Sequence, residues 1–181
     1  MKTRQVVSRI IASIDYLSRA IGIAAALCSL AIVGVTALVV IWRYAFAGGS
    51  LALQESINYL FAAIFMLGTA VTLQRQGHVR VDIFYRHFST RTRAWIDSIG
   101  AIVFLLPLSA VIGLVSIDYV ATAWSIREKS PDPGGLAAVY WLKTLIPVMA
   151  ASVFLQGCAE LLRNALVLTE PPSGKTSATH G

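Results

Sequence analysis

Apolar residues in this chain are gathered into four long stretches that contain no charged side chain. These stretches are Ile21–Trp42, Ser56–Leu73, Ser98–Ile117 and Thr144–Ala159, which are 22, 18, 20 and 16 residues long. An α-helix rises about 1.5 Å per residue and must cross roughly 30 Å of hydrocarbon to span a bilayer. The first three stretches are long enough, and the fourth becomes so when Val139–Lys143 is added. We therefore predict four transmembrane helices, at about 21–43, 51–73, 96–118 and 139–161.

Two further segments have the periodicity of amphipathic helices. In the N-terminal segment, 1–20, the apolar stripe consists of Val7, Ile10, Ile11, Ile14 and Leu17, and it continues to Ile21. Between the second and third spans, at about 78–94, it consists of Val81, Phe84, Tyr85 and Phe88. Both patterns favour helices lying in the cytoplasmic membrane interface or packed on a partner protein. The predicted fold class is an all-α integral membrane protein with four transmembrane helices, these two interfacial helices and a disordered tail at 166–181.

Composition excludes several classes of protein. Only 13% of the residues are charged and 56% are apolar, with a mean hydropathy of +0.70, whereas about a quarter of the residues in a soluble domain are charged. An ordinary soluble enzyme and a disordered chain are therefore excluded. The two cysteines both lie in apolar stretches, so neither a disulfide framework nor a zinc site is expected.

The basic residues orient the predicted bundle. The chain has a net charge of +6, but its basic residues lie between the apolar stretches, so we expect no nucleic-acid binding. Eleven Lys and Arg residues fall on the side that holds both termini, and four fall on the other side. Because positive loops stay in the cytoplasm, both termini are predicted to be cytoplasmic. The first stretch is too long for a signal-peptide core of about 7–15 residues, so we expect it to be retained.

Charged residues inside a membrane are candidates for function, and this chain has almost none. Glu55 and Lys143 lie near the outer ends of the second and fourth spans, and Arg43 and Asp118 flank the first and third. We expect these four residues to pair with one another, with Arg43 and Glu55 as the first pair. A proton or ion relay through Glu55 and a contact between subunits are the alternatives. Pro107, in the middle of the third span, predicts a bend that is either a fixed kink or a hinge.

Candidate catalytic chemistry is missing from the sequence. The histidines are His78, His87 and His180, all outside the predicted spans, so a bis-histidine haem within the bundle is excluded. The pattern contains no nucleophile with a neighbouring base and no phosphate-cradling glycine motif. We expect neither enzyme activity nor a cofactor or metal site.

Two groups of motifs resemble a known family. The second span begins with Leu53-Gln54-Glu55-Ser56, and it is followed by Gly77-His78-Val79-Arg80-Val81-Asp82. This combination is similar to the small membrane subunit of tripartite ATP-independent periplasmic (TRAP) transporters. Pro133-Gly134-Gly135-Leu136, Lys143, Ile146-Pro147 and Leu155-Gln156-Gly157 resemble a branch linked to 2-oxo acids and to mannitol or chloroaromatic compounds.

The resemblance implies a function as one of three proteins in the bacterial inner membrane and periplasm. The partners would be a large permease that carries substrate and sodium, a periplasmic solute-binding protein and the lipid bilayer. The small subunit would enlarge the permease's fixed scaffold in an importer of small organic acids. Its structural or subunit-interface candidates are Arg43, Glu55, Gly77, His78, Asp82, Phe84, Phe88, Pro107 and Lys143. The alternative is a self-contained, homo-oligomeric small transporter or ion pathway that uses Glu55.

Overall fold

The computed structural model describes residues 2–75 and 88–169, which are helical apart from short connections. The elements are α1 (Lys2–Phe46), α2 (Leu51–Gln74), α3 (Thr90–Gly100), a π-helical turn (Ala101–Leu105), α4 (Leu106–Ser125) and α5 (Val139–Thr169). Because α3, the π-helical turn and α4 are continuous, they form one rod of 36 residues. Four rods are therefore long and apolar enough to cross a membrane, which confirms the predicted four-span, all-α class.

The helix α5 is the centre of the bundle, since it contacts each of the other helices and the π-helical turn. In the most apolar 18-residue stretch of α5, 28% of the residues are buried, against 6% in the corresponding stretches of α1 and α2. The helices α1 and α2 pack against each other as a hairpin joined by residues 47–50. Most of the apolar surface of the outer helices therefore remains available to lipid or to a partner protein.

Small residues fill the contacts between helices. The buried apolar positions are alanines except for Val120, and several buried serines bond to carbonyl oxygens of their own helix. A Cβ added at Gly22 would lie 3.0 Å from Val71 Cγ2, and one added at Gly157 would lie 3.0 Å from Cδ2 of both Leu105 and Leu106. The two glycines thus let α1 approach α2 and α5 approach the π-helical turn, as small residues commonly do in membrane bundles.

The N-terminal segment differs from the prediction. Residues 2–20 do not form a separate interfacial helix but are the first part of α1, which is 45 residues long. At about 1.5 Å per residue, α1 measures about 68 Å, far more than the hydrocarbon thickness. The segment contains no proline that would end the helix before the first span, and Asp15 and Ser18 bind α5, which keeps the helix continuous.

At Pro107, where the sequence predicts a bend, the structure has a local change in helical hydrogen bonding. The π-helical turn ends at Leu105, and Pro107 lies in the first turn of α4, where its missing N–H is tolerated. π-Helical turns and prolines are common causes of helix kinks. Because Leu105 and Leu106 pack closely on Gly157, this irregularity rests against α5.

The segment between the second and third spans is described only in part. Gly77, His78, Asp82 and Phe84 lie outside the described residues, so the predicted stripe cannot be compared there. Phe88 is described, is 40% exposed and is not helical. Ser89 then caps α3 by accepting a hydrogen bond from the backbone N–H of Thr92 at 3.2 Å. The prediction of one helix at about 78–94 is therefore wrong in its C-terminal part, because Phe88 and Ser89 interrupt it before α3. At the other end of the chain, α5 continues to Thr169, past the predicted start of the tail.

Candidate functional site

The charged side chains inside the described bundle gather into two groups at its opposite ends. The loop cluster lies under the connection from α4 to α5 and consists of Glu55, Tyr119, Glu128, Ser130 and Lys143. The terminal cluster lies where α1 and α2 meet the last turns of α5 and consists of Asp15, Ser18, Gln156, Glu160 and Arg163.

In the loop cluster, the carboxylate of Glu55 fastens the connecting loop to the start of α2. Its Oε1 accepts a hydrogen bond from Ser130 Oγ at 2.5 Å, and its Oε2 accepts one from the backbone N–H of Leu136 at 2.6 Å. The same loop is closed by a backbone hydrogen bond from Ser130 N–H to Leu136 O at 3.0 Å. Both oxygens of Glu55 therefore have loop donors, and the residue is half-buried.

Gly135 makes this close approach possible. A Cβ built on Gly135 would lie 2.5 Å from Ser130 Oγ and 2.6 Å from Glu55 Oε1, too close for any other residue. Its neighbour Gly134 has φ +85°, in the left-handed region that favours glycine. The Pro-Asp-Pro-Gly-Gly turn at residues 131–135 thus places its second glycine directly over the carboxylate.

Lys143 forms the second half of the loop cluster. Its Nζ lies 2.5 Å from Glu128 Oε2, with side-chain exposures of 16% and 29%, and 4.1 Å from the centroid of the Tyr119 ring. A cation over an aromatic face is stabilised by the ring quadrupole. Trp124 lies beside this group and donates from Nε1 to Thr144 Oγ1 at 2.9 Å.

The pairing of Arg43 with Glu55 predicted from the sequence is wrong. Within residues 2–75 and 88–169, Arg43 is exposed and forms no ion pair, and Asp118 is exposed as well. The partners of Glu55 and Lys143 come instead from the loop, which folds back over the ends of α2 and α5. These nearer partners replace the flanking charges of the other spans.

In the terminal cluster, Arg163 joins two helices through its guanidinium fork. Its Nη1 lies 2.9 Å from Glu160 Oε2 on the same helix, and its Nη2 donates to Asp15 Oδ1 on α1. The backbone carbonyl of Asp15 also accepts a hydrogen bond from Gln74 Nε2 on α2 at 3.2 Å. Residue 15 of α1, the last residue of α2 and the C-terminal part of α5 are thus held together around one arginine.

Gln156 extends this cluster into the bundle. Its side chain is completely buried, and its Oε1 accepts a hydrogen bond from Ser18 Oγ on α1 at 3.0 Å. Its Nε2 lies beside Asp15 but has no hydrogen bond of ordinary geometry. The Nδ2 of Asn164 is likewise buried without a hydrogen bond among the described residues. This contact is not predicted by the sequence pattern, although Gln156, Glu160, Arg163 and Asn164 recur at the spacing of one helix face.

Between the two clusters the bundle has no charged residue. Residues 20–42 of α1, 56–74 of α2, 98–117 of the third rod and 144–159 of α5 contain no Asp, Glu, Lys or Arg. Among the described residues there is also no group of three His, Cys, Asp or Glu side chains that could hold a metal ion. The arrangement can fasten helices and a loop at the two ends, but its middle offers no ionisable group for a relay.

A comparison with protein families matches residues 32–166 to "Tripartite ATP-independent periplasmic transporters, DctQ component". The chain belongs to the DctQ family. The match covers 135 of the 181 residues and confirms the resemblance found in the motifs. DctQ is a family of transporter components and not an enzyme family. A comparison with curated proteins gives no significant match.

The DctQ match divides the two clusters unequally. It begins inside α1 and ends inside α5, so it includes every member of the loop cluster. Of the terminal cluster it includes Gln156, Glu160 and Arg163, whereas Asp15 and Ser18 precede it. The N-terminal part of α1 that binds α5 therefore lies outside the family match.

Proposed function

We propose that this DctQ protein is the scaffold subunit of a sodium-coupled importer of small organic acids. It stabilises the large permease in the membrane and carries neither substrate nor sodium itself. The observation that carries this proposal is the charge-free middle of the bundle, which separates the loop cluster from the terminal cluster. A path for a carboxylate or a cation through a membrane needs polar or ionisable ligands along its length.

The environment of Glu55 supports this role. Glu55 lies four residues after Leu51, where α2 begins, and is therefore only about 6 Å along the helix axis. Its two oxygens accept hydrogen bonds from Ser130 and Leu136, which gives the carboxylate a structural use. A coupling carboxylate must instead exchange its proton or cation during each transport cycle.

The apolar surface of the rods supports a scaffold that contacts lipid and a large partner. On α2, Phe61 and Phe65 are 65% and 68% exposed, and on the third rod Phe104 and Val115 are 71% and 72% exposed. Such surface is satisfied by acyl chains or by the helices of another membrane protein. We propose the large permease as that protein, with a periplasmic solute-binding protein as the third component.

The proposed location is the bacterial inner membrane with both termini in the cytoplasm. This orientation rests on the eleven basic residues on one side against four on the other. It places the loop cluster at the periplasmic face. Reporter fusions after Gly49 and Gly135 are expected to give periplasmic signals, and fusions after His87 and at the C-terminus cytoplasmic ones. A periplasmic signal at His87 would contradict this topology.

Purification and reconstitution test the scaffold role directly. Affinity purification of the full chain in mild detergent is expected to recover a large membrane protein in fixed ratio. Proteoliposomes that contain this chain together with the permease and the binding protein should take up substrate, and those that contain this chain alone should not. Transport by the chain alone would overturn the proposal in favour of the self-contained transporter.

A further inference from the structure

A cavity of about 650 Å³ with charged residues at its rim opens between α1, α2 and α5 at the end of the bundle that holds the terminal cluster. Its charged and polar lining comes from Asp15, Arg19, Gln74, Arg75 and Arg163. Nothing in the proposed scaffold role uses this space. Three of its five polar lining residues are arginines, so its chemistry is that of an anion site.

The charges around the cavity are not all balanced. Arg163 is held by Asp15 and Glu160, so its positive charge is already matched. Arg19 and Arg75 lie on exposed positions of α1 and at the end of α2. Within residues 2–75 and 88–169, their side chains make no hydrogen bond and no ion pair. Two guanidinium groups with ten N–H donors between them therefore border the cavity without a described acceptor.

The part of the cavity that lies one turn further along α1 is apolar. It is formed by Ile23 and Ala26, which begin the charge-free stretch of α1, and by Val71 of α2. The helices converge at Gly22, where an added Cβ would lie 3.0 Å from Val71 Cγ2. The cavity thus changes from a cationic rim to a hydrocarbon wall over about one turn of helix.

The cavity lies at the depth of a membrane surface. Arg75 directly follows the last residue of α2, a helix of 24 residues, which is about 36 Å long and so reaches from one side of a bilayer to the other. At this depth a phospholipid places its phosphate beside the rim and its acyl chains beside the wall. Basic pockets between membrane helices are recognised sites for anionic head groups.

We infer that this cavity binds the phosphate group of an anionic phospholipid. Arg19 and Arg75 donate to the phosphate oxygens from the two sides, and an acyl chain follows Ile23 and Ala26 into the membrane. A soluble phosphate ester offers the same anionic group, but it leaves the apolar wall uncovered. The inference does not depend on the proposed transport role, since binding of a lipid at this cavity requires neither substrate nor sodium.

Native mass spectrometry of the purified full chain in an uncharged detergent tests this inference. The probes are phosphatidylglycerol, zwitterionic phosphatidylcholine and glycerol phosphate. Wild type should retain phosphatidylglycerol in preference to phosphatidylcholine, and R19Q/R75Q should lose about fivefold in affinity for each arginine removed. The control R9Q/R127Q removes two exposed arginines that do not line the cavity and should retain the lipid.

The variant R19K/R75K keeps the charge and separates folding from recognition. It should recover part of the lipid preference, because lysine neutralises a phosphate but lacks the guanidinium fork. Glycerol phosphate that binds as tightly as phosphatidylglycerol would show that the ligand is a soluble ester and overturn the lipid assignment. Equal retention of phosphatidylglycerol by wild type and R19Q/R75Q, or no preference over phosphatidylcholine, would overturn the site itself.

Discussion

The loop cluster and the terminal cluster contain similar charged groups but connect different parts of the molecule. In the loop cluster, Glu55 and Lys143 bind residues of one loop, and Leu136 contributes its backbone N–H. In the terminal cluster, Arg163 of α5 binds Asp15 of α1 across 148 residues of sequence. One cluster fixes the shape of a loop, whereas the other fixes the relative positions of helices.

The two ion pairs are exposed to a similar extent, but the residues around them differ. The loop cluster lies beside exposed residues such as Trp124 and Arg127, where water can replace a lost hydrogen bond. The terminal cluster continues into the bundle through Gln156, which is completely buried. Because a buried polar group that loses its partner pays its full desolvation penalty, we expect larger effects on stability at the terminal cluster.

The largest effect is expected for Arg163→Met. The change leaves Asp15 and Glu160 as two neighbouring carboxylates without their shared cation. Removing one partner of a buried ion pair costs about 3–5 kcal/mol, and the partial exposure of this group reduces our expectation to about 2–3 kcal/mol. Denaturant titration of the full chain in detergent micelles measures the change in the free energy of unfolding.

The matched variant is D15N/R163M, which removes the charge that Arg163→Met leaves on α1. It should recover part of the lost stability, because the neutral asparagine at position 15 needs no cation. Lys143→Met is the corresponding change in the loop cluster and should have the smaller effect. A loss at Lys143 equal to the loss at Arg163 would contradict the distinction between the two clusters.

Gln156→Ala is expected to have the next largest effect. It removes the hydrogen bond with Ser18 and leaves a cavity where a completely buried side chain had been. Hydrogen bonds between membrane helices contribute about 0.6 kcal/mol on average, and the cavity adds to that, so we expect a loss of about 1–2 kcal/mol. The same denaturant titration measures it.

Gln156→Met separates the two contributions. Methionine keeps most of the volume and removes the Nε2 that has no ordinary partner, so its loss should stay below about 0.6 kcal/mol. Ser18 can then bond to a carbonyl of its own helix, as other serines of the bundle do. If Met were as harmful as Ala, the hydrogen bond and not the packing would determine the stability of this contact.

The four membrane-length helices were predictable because membrane thickness imposes a length on each charge-free stretch. The continuity of α1 was not predictable from periodicity, since an interfacial helix and the extension of a transmembrane helix have the same period. The π-helical turn before Pro107 had no signal beyond the proline itself. In these cases the local sequence pattern predicts a helix but not the helices against which it packs.

The sequence identifies the charged candidate residues more readily than it identifies their hydrogen-bond and ion-pair partners. Glu55 and Lys143 stand out in an apolar sequence, but Glu55 binds Ser130 from 75 positions away. That contact depends on a loop turning back at Gly134 and Gly135, whose path the sequence does not specify. The contact of Gln156 with Ser18 was not predictable, because a single amide within an apolar stretch gives no sign of the residue that faces it.

Glu55→Gln is expected to have a small effect on the free energy of unfolding. Glutamine keeps one carbonyl acceptor for Ser130 or Leu136 but presents an NH₂ group to the other donor. The loop should loosen with only a small loss of stability, because water can replace the lost hydrogen bond. The denaturant titration is followed by uptake assays with the assembled complex at varied sodium concentration.

The uptake assay connects this change to function. We expect unchanged sodium dependence and, at most, a lower maximal rate, since the carboxylate holds a loop and does not couple ions. Ser130→Ala is the control that removes one of the two donors and leaves the charge. An altered sodium dependence in a fully assembled Glu55→Gln complex would contradict the scaffold role and support Glu55 as a coupling group.

The smallest effect is expected for Thr144→Val, which tests the edge of the loop cluster. Thr144 Oγ1 accepts a hydrogen bond from Trp124 Nε1 at 2.9 Å, and Trp124 also contacts the rings of Tyr140 and Trp141 at 4.7 and 5.1 Å between centroids. Valine keeps the shape of threonine but removes this acceptor. Because Trp124 is 40% exposed, water can accept its N–H, and the ring contacts remain. We expect a loss of at most about 0.5 kcal/mol in the denaturant titration, with Thr144→Ser unchanged because it retains the hydroxyl. A loss above that of Gln156→Ala would mean that the loop end, and not the terminal end, determines the stability of the bundle.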